Sequence, residues 1–184
     1  LPALMLLVSA CGVPDSESAD RANNDEYSVH YILEPDPAAA TVHVSMNLRQ
    51  PPRLLRELSF VIPPNVDNIE GDGELRIQEH RAYWLPPADG GKLEWQAAVL
   101  GQREGGRFDA LLTADWGILR TEDVIPRARV RTRKGAISRT TLVFDLPAGW
   151  SVISEYSSRV LPIVVDRPDR RFDQPVGWLA MGRL

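Results

Sequence analysis

Very little of this 184-residue chain is cysteine, lysine or histidine: there is one Cys, two Lys (Lys92 and Lys134) against 19 Arg, and three His. A single cysteine excludes an internal disulfide framework and any zinc site built from several thiolates. No uncharged apolar run approaches the roughly 18 residues that a membrane-spanning helix needs. The formal net charge of −4 argues against nucleic acid as a main partner. Helical periodicity is nearly absent too, while 13 Gly and 15 Pro are spread as punctuation through the chain. What remains is the composition of a soluble globular protein, 43% hydrophobic and 25% charged, long enough to bury a core without disulfides or metal.

The lone cysteine has a particular setting. Residues 1–10 carry no charge and end in Val8-Ser9-Ala10, directly before Cys11. This reads as the end of a signal peptide, and Leu7-Val8-Ser9-Ala10-Cys11 resembles a bacterial lipobox, which implies a lipidated Cys11 at the mature N-terminus. The competing reading is an apolar first strand with Cys11 as a small buried hydrophobe. Residues 11–26 are polar, acidic and free of aromatics, so they are expected to form a flexible tether. With Gly12 after the cysteine, the resemblance to enteric lipoproteins implies the outer membrane of a bacterial envelope, facing the periplasm.

From Tyr27 the pattern changes to period two. Tyr27, Val29, Tyr31 and Leu33 alternate with polar neighbours, and after Pro35-Asp36-Pro37 so do Val42, Val44, Met46 and Leu48, which predicts a hairpin. Further strands are expected at Leu58–Ile62, Leu75–Gln78, Arg81–Leu85, Lys92–Val99, Phe108–Leu112, Ala128–Arg133, Thr140–Leu146 and Ser151–Tyr156, separated by Gly and Pro turns. Only Arg53–Glu57 and Trp116–Asp123 have helix-like content. The expected fold is mainly β, an antiparallel β-sandwich with short helical turns over residues 27–184.

Catalytic constellations are missing. His80 follows Glu79 but lacks the second histidine of a His-Glu-x-x-His helix. His30 and His43 lie on the polar face of the hairpin and would stand opposite each other across a symmetric turn, yet no third ligand is evident, so two exposed imidazoles are the better reading. Ser154, Ser157 and Ser158 have no neighbouring histidine. Gly71-Asp72-Gly73 and the glycines from Gly101 to Gly106 suit hairpin turns better than phosphate cradles. The acids Glu122, Asp123, Asp166, Asp169 and Asp173 read as solvated loops. The sequence therefore assigns no catalytic, cofactor or metal residue.

Two further features concern surfaces. Arg127, Arg129, Arg131 and Arg133 alternate with Ala128, Val130 and Thr132, which on a strand gives either a basic stripe for an acidic partner, a neighbouring domain or anionic lipid, or charges that guard an exposed strand from pairing with other chains, the better reading in an acidic chain. Trp84, Trp95, Trp116, Trp150 and Trp178 recur at strand ends, where packing is the default and an aromatic groove the alternative.

The runs Asp115-Trp116-Gly117-Ile118-Leu119-Arg120, Asp123-Val124-Ile125-Pro126, Leu146-Pro147-Ala148-Gly149-Trp150 and Arg171-Phe172-Asp173-Gln174-Pro175-Val176-Gly177-Trp178 occur in that order. In this the chain resembles the N-terminal region of bacterial lipoproteins related to the glycyl aminopeptidase family of zinc metallopeptidases. The resemblance implies a non-catalytic β-sandwich that precedes, holds and flanks a catalytic domain, with zinc in that following domain and none here. The alternative is a self-contained envelope lipoprotein that binds a protein or peptide. The expected partners are thus the bilayer through Cys11 and a following domain or protein. Residues Arg171 to Leu184 are expected to pack through Phe172 and Trp178 while leaving an unmet apolar surface, with Phe172, Val176, Trp178, Met181 and Leu184 as candidate contact residues.

Overall fold

A computed structural model describes residues 25–99, 101, 110–156, 161–165 and 172–183; Cys11 and its tether fall outside these. Fourteen strands are assigned: β1 (Glu26–Asp36), β2 (Thr41–Arg49), β3 (Leu55–Val61), β4 (Val66–Gly71), β5 (Glu74–Gln78), β6 (Arg81–Leu85), β7 (Gly90–Ala98), β8 (Leu111–Leu112), β9 (Trp116–Arg120), β10 (Ala128–Thr132), β11 (Ile137–Phe144), β12 (Ser151–Ser154), β13 (Ile163–Val165) and β14 (Trp178–Gly182). One helical turn, α1 (Thr121–Val124), interrupts them. They form three sheets, ordered β13-β11-β1-β2-β7-β4, β10-β3-β6-β5 and β12-β14-β9-β8. The protein is mainly β, as the punctuation and period-two runs predict, and among the described residues β1 beside β11 is the one parallel pair in a set of otherwise antiparallel ladders.

The core follows from strand alternation. Tyr27, Val29, Tyr31 and Leu33 on β1 and Val42, Val44, Met46 and Leu48 on β2 point to one side of the first sheet and are buried. Leu58, Phe60, Ala82 and Trp84 of the second sheet meet them, with the rings of Phe60 and Trp95 5.8 Å apart and tilted. Leu112, Leu119, Leu179 and Met181 of the third sheet complete the same cluster.

Three expectations are corrected by local geometry. The hairpin turns at Pro37–Ala40, not at Pro35-Asp36-Pro37: β1 runs through Pro35, and the Asp36 carboxylate accepts from the amides of Ala38 and Ala39 at 2.9 and 3.2 Å. Arg53–Glu57 is not helical, because the buried Gln50 amide accepts from the Leu55 N–H at 2.6 Å and donates to the Leu55 carbonyl at 3.2 Å, holding the entry to β3 extended. Gly71-Asp72-Gly73 is not a hairpin turn but the corner where the chain leaves the first sheet (β4) for the second (β5). Asp72 ties this corner down, its carbonyl accepting from the Trp84 indole at 2.6 Å and its carboxylate from the Lys92 N–H at 2.8 Å.

Tyr27 and Tyr31 lie at the centre of this core. Burial pushes both phenols well above the ordinary tyrosine range; a hydrogen bond with Ser138 offsets part of the shift at Tyr27, and Tyr27 itself adds to the shift at Tyr31. Because the folded values are raised, their contribution is fully present below the unfolded tyrosine pKa of about 10 and is lost as pH rises above it, by ~1.4 kcal/mol per pH unit for each phenol. Urea midpoints should therefore fall between about pH 9 and about pH 11, and Tyr31→Phe should flatten that dependence. A midpoint independent of pH over this range would contradict the burial of both phenols.

Candidate interdomain surface

The third sheet presents an unusual outer face. Successive residues of a strand point to opposite sides, so Gly117 and Leu119 on β9 and Leu179 and Met181 on β14 turn inward, while Trp116, Ile118 and Arg120 and then Trp178 and Ala180 turn outward. Ile153, Ala180, Ile118 and Leu111 fall into one row across β12, β14, β9 and β8. Trp178 stands beside Arg120 in the next row, and Trp116 beside Gly182 in the row on the other side.

Four of these side chains are large, apolar and open to solvent: Trp116 at 46%, Ile118 at 39%, Ile153 at 63% and Trp178 at 36%. Single exposed hydrophobes are ordinary, but four on one sheet face form a patch of the kind that marks a contact surface. Two details hold the tryptophans in place. The Arg120 guanidinium lies 4.7 Å from the Trp178 ring centroid, a cation–π contact. Gly182 has φ +148 and no Cβ, and a Cβ built there would stand 2.7 Å from the Asp115 carbonyl oxygen and 2.9 Å from the Trp116 Cβ, so only glycine fits opposite Trp116.

A cleft of about 880 Å³ adjoins this face, lined by Trp150, Val152, Tyr156, Leu161 and Ile163 among others. Ile153 belongs to both cleft and face. The tryptophans thus divide in two. Trp84 and Trp95 are core residues, whereas Trp116, Trp150 and Trp178 face outward or line the cleft.

The C-terminal candidates are sorted by the same alternation. Phe172 and Met181 are buried and belong to the core, Val176 is half-buried, and Trp178 lies on the exposed face rather than anchoring the segment; Leu184 lies outside the described residues. Anchoring is done instead by Phe172, Leu179 and Met181. The Gln174 side chain adds to it, donating to the carbonyls of Ile125 and Pro126 at 3.0 and 2.7 Å and accepting from the Ala128 N–H at 3.0 Å. Trp116, Ile118 and Ile153 were not singled out from the sequence as contact residues. Their signal is apolar residues on both faces of a short strand, Ile118 beside Leu119 on β9 and Val152 beside Ile153 on β12, which reads as core.

The remaining polar candidates are structural or separate. His30 faces Asn47 and bonds to the Thr141 hydroxyl at 2.6 Å, while His43 faces Glu34 and lies 3.6 Å from Glu94, so the later turn places the two imidazoles four strand positions apart instead of opposite. His80 and Glu79 form the tight turn between β5 and β6, both with positive φ. Glu122 accepts from the Gly177 N–H at 2.9 Å and Asp123 from the Arg120 N–H at 3.4 Å. Asp173 is buried, its backbone bonded to Ser138 and Thr140 at 2.7 Å each. The Ser154 hydroxyl accepts from the Tyr156 N–H at 3.3 Å. Ser157, Ser158, Asp166 and Asp169, and the glycines from Gly105 to Gly106, fall outside the described residues. Among the described residues no three His, Cys, Asp or Glu come together as a metal site, so none of them is assigned to zinc.

No protein-family model matches the chain, and no curated protein does. Among solved structures, the fold is similar to part of an aminopeptidase N family protein from Idiomarina loihiensis, with TM-score 0.56 and 15% identity, covering 84% of this chain and 29% of that one. An M1 zinc metallopeptidase from Deinococcus radiodurans aligns with TM-score 0.42 and 12% identity over 87% of this chain and 42% of that one. At such identity the likeness is one of fold. The chain defines a mainly-β, non-barrel domain of three sheets, the architecture of one portion of an aminopeptidase N family protein, and it spans less than a third of that protein's length.

Proposed function

We propose that the chain is the non-catalytic N-terminal β domain of a membrane-anchored, glycyl-aminopeptidase-like metallopeptidase, and that the outer face of the third sheet seats the catalytic domain. The observation that carries this reading is the face itself: Trp116, Ile118, Ile153 and Trp178 open to water on one side of a sheet whose other side is core. The fold likeness to part of an aminopeptidase N family protein supports it. The domain holds and flanks the catalytic domain, which supplies the zinc and the general base. Cys11, lipidated, anchors the whole to the bacterial envelope at the outer membrane on the periplasmic side; several acyl chains on one residue, each methylene contributing ~0.8 kcal/mol, make such an anchor firm.

The test is the reading frame beyond the codon for Leu184. An in-frame His-Glu-x-x-His is expected within the proposed catalytic domain, and an immediate stop would favour a self-contained envelope lipoprotein. The cleft beside Trp150 and Tyr156, large enough for a short peptide, is the observation that favours that second reading. For the anchor, Cys11→Ser in the natural gene should abolish incorporation of labelled palmitate; undiminished labelling would contradict it.

A further inference from the structure

The arginine stripe is split by its surroundings. Arg131 lies 3.7 Å from Glu57 and Arg133 lies 3.0 Å from Asp25. Arg127 and Arg129 are exposed and make no ion pair among the described residues. The register brings a third arginine to them: Arg129 faces Ser59 on β3, Ser59 faces Tyr83 on β6, and the next outward pair along those strands is Val61 with Arg81. Arg81, Arg127 and Arg129 together with Val61, Pro63, Pro126 and Glu122 line a groove of about 450 Å³.

Guarding an exposed edge accounts for charges on β10, which is an edge strand, but not for Arg81, because β6 is an interior strand of its sheet. Glu122 is engaged by the Gly177 N–H, and three guanidiniums against this one carboxylate leave a local positive excess in a chain of net charge −4. Arg127 and Arg129 are two residues apart, a spacing of roughly 6.6 Å along an extended chain. An extended peptide with carboxylates at alternate positions has the same spacing, and guanidinium pairs with carboxylate through two parallel hydrogen bonds.

We propose that this groove binds an extended acidic segment of polypeptide, with carboxylates at alternate positions set against Arg127 and Arg129 and a further one within reach of Arg81. The groove, lined also by the apolar Val61, Pro63 and Pro126, favours a peptide over a bilayer, whose flat surface does not enter a groove. This surface is separate from the apolar face of the third sheet and does not depend on what docks there.

The test is fluorescence anisotropy with a labelled octapeptide of alternating Glu and Ser, its Gln and Ser counterpart, and vesicles of phosphatidylglycerol. The acidic octapeptide should bind saturably at low salt and the Gln counterpart should not. Arg81→Gln, Arg127→Gln and Arg129→Gln combined should weaken binding by about tenfold or more, and Arg76→Gln, on β5 outside the groove, by less than about twofold. Replacing Arg127 and Arg129 by Glu should turn preference to an octapeptide of alternating Lys and Ser, a gain that misfolding cannot produce. Absence of saturable binding, equal loss in Arg76→Gln, failure of the charge swap, or binding to vesicles alone would overturn the proposal.

Discussion

Trp95→Ala is expected to destabilise the folded chain by about 3–5 kcal/mol. Trp95 is 2% exposed, packs against Phe60 between the first and second sheets, and its indole N–H donates to the Val124 carbonyl at 2.7 Å, one of the carbonyls that the single turn of α1 leaves without a helical partner. The substitution opens a cavity between the sheets and strands that carbonyl in an apolar surround. For a chain of this size the melting temperature should drop by about 10–15 °C. Trp116→Ala makes the instructive comparison, because Trp116 is 46% exposed and its loss should cost well under half as much. Equal destabilisation by the two, read by urea or thermal unfolding, would contradict the division of the tryptophans into core and face.

The second large effect belongs to the apolar face. Ile118 and Ile153 stand in one row of the third sheet and both point to solvent, so replacing both by Asp should change the stability of the 184-residue chain by no more than about 0.5 kcal/mol for each site. On the proposed function, in which a catalytic domain seats on this face, the same pair of substitutions should weaken that docking by more than about 2 kcal/mol, roughly thirtyfold, because charges would be buried at the centre of an apolar contact. Binding of a hydrophobic dye to the unsubstituted chain, and its loss in the variant, reads the patch directly. Strong destabilisation with unchanged dye binding would place these residues in the core.

The same alternation explains what the sequence could and could not show. The β1–β2 hairpin was legible because one face of each strand is core and the other is water, so Tyr27, Val29, Tyr31 and Leu33 stand out against polar neighbours. β14 was not, because Trp178 and Ala180 on its outer side are as apolar as Leu179 and Met181 on its inner side, and a strand apolar on both faces has no period of two. β9 is similar: Trp116 and Ile118 hide the alternation, and the acids that follow at Glu122 and Asp123 lend the stretch a helical look that only α1 fulfils. β4 escaped for another reason. Its pairing with β7 shifts register between Asp67 and Glu70, Asn68 has positive φ, and only Val66 of its residues is buried.

The apolar excess near the C-terminus was legible in the sequence, and which of its residues face outward was not. Five apolar residues near the C-terminus signalled an excess over what a single core absorbs, and Trp178 does lie on the exposed face. Phe172 and Met181 went inward, and their places on the outside are taken by Trp116, Ile118 and Ile153, which β9 and β12 bring beside Trp178 from distant parts of the chain. Pairing across such sequence distances is set by tertiary packing and leaves no local pattern. The arginine stripe shows the same limit, since its outward spacing was readable in the sequence but its completion by Arg81 depends on the order of the strands.

In the proposed function the outer face of the third sheet is covered in the natural protein. Hydrogen–deuterium exchange answers this when run on the full natural gene product and on the 184-residue chain side by side. Peptides spanning Trp116–Arg120, Ser151–Ser154 and Trp178–Gly182 should exchange more slowly in the full product than in the shorter chain, while β1 and β2 exchange alike in both. Equal exchange of all three segments in a longer product, or a full product no longer than this chain, would contradict it.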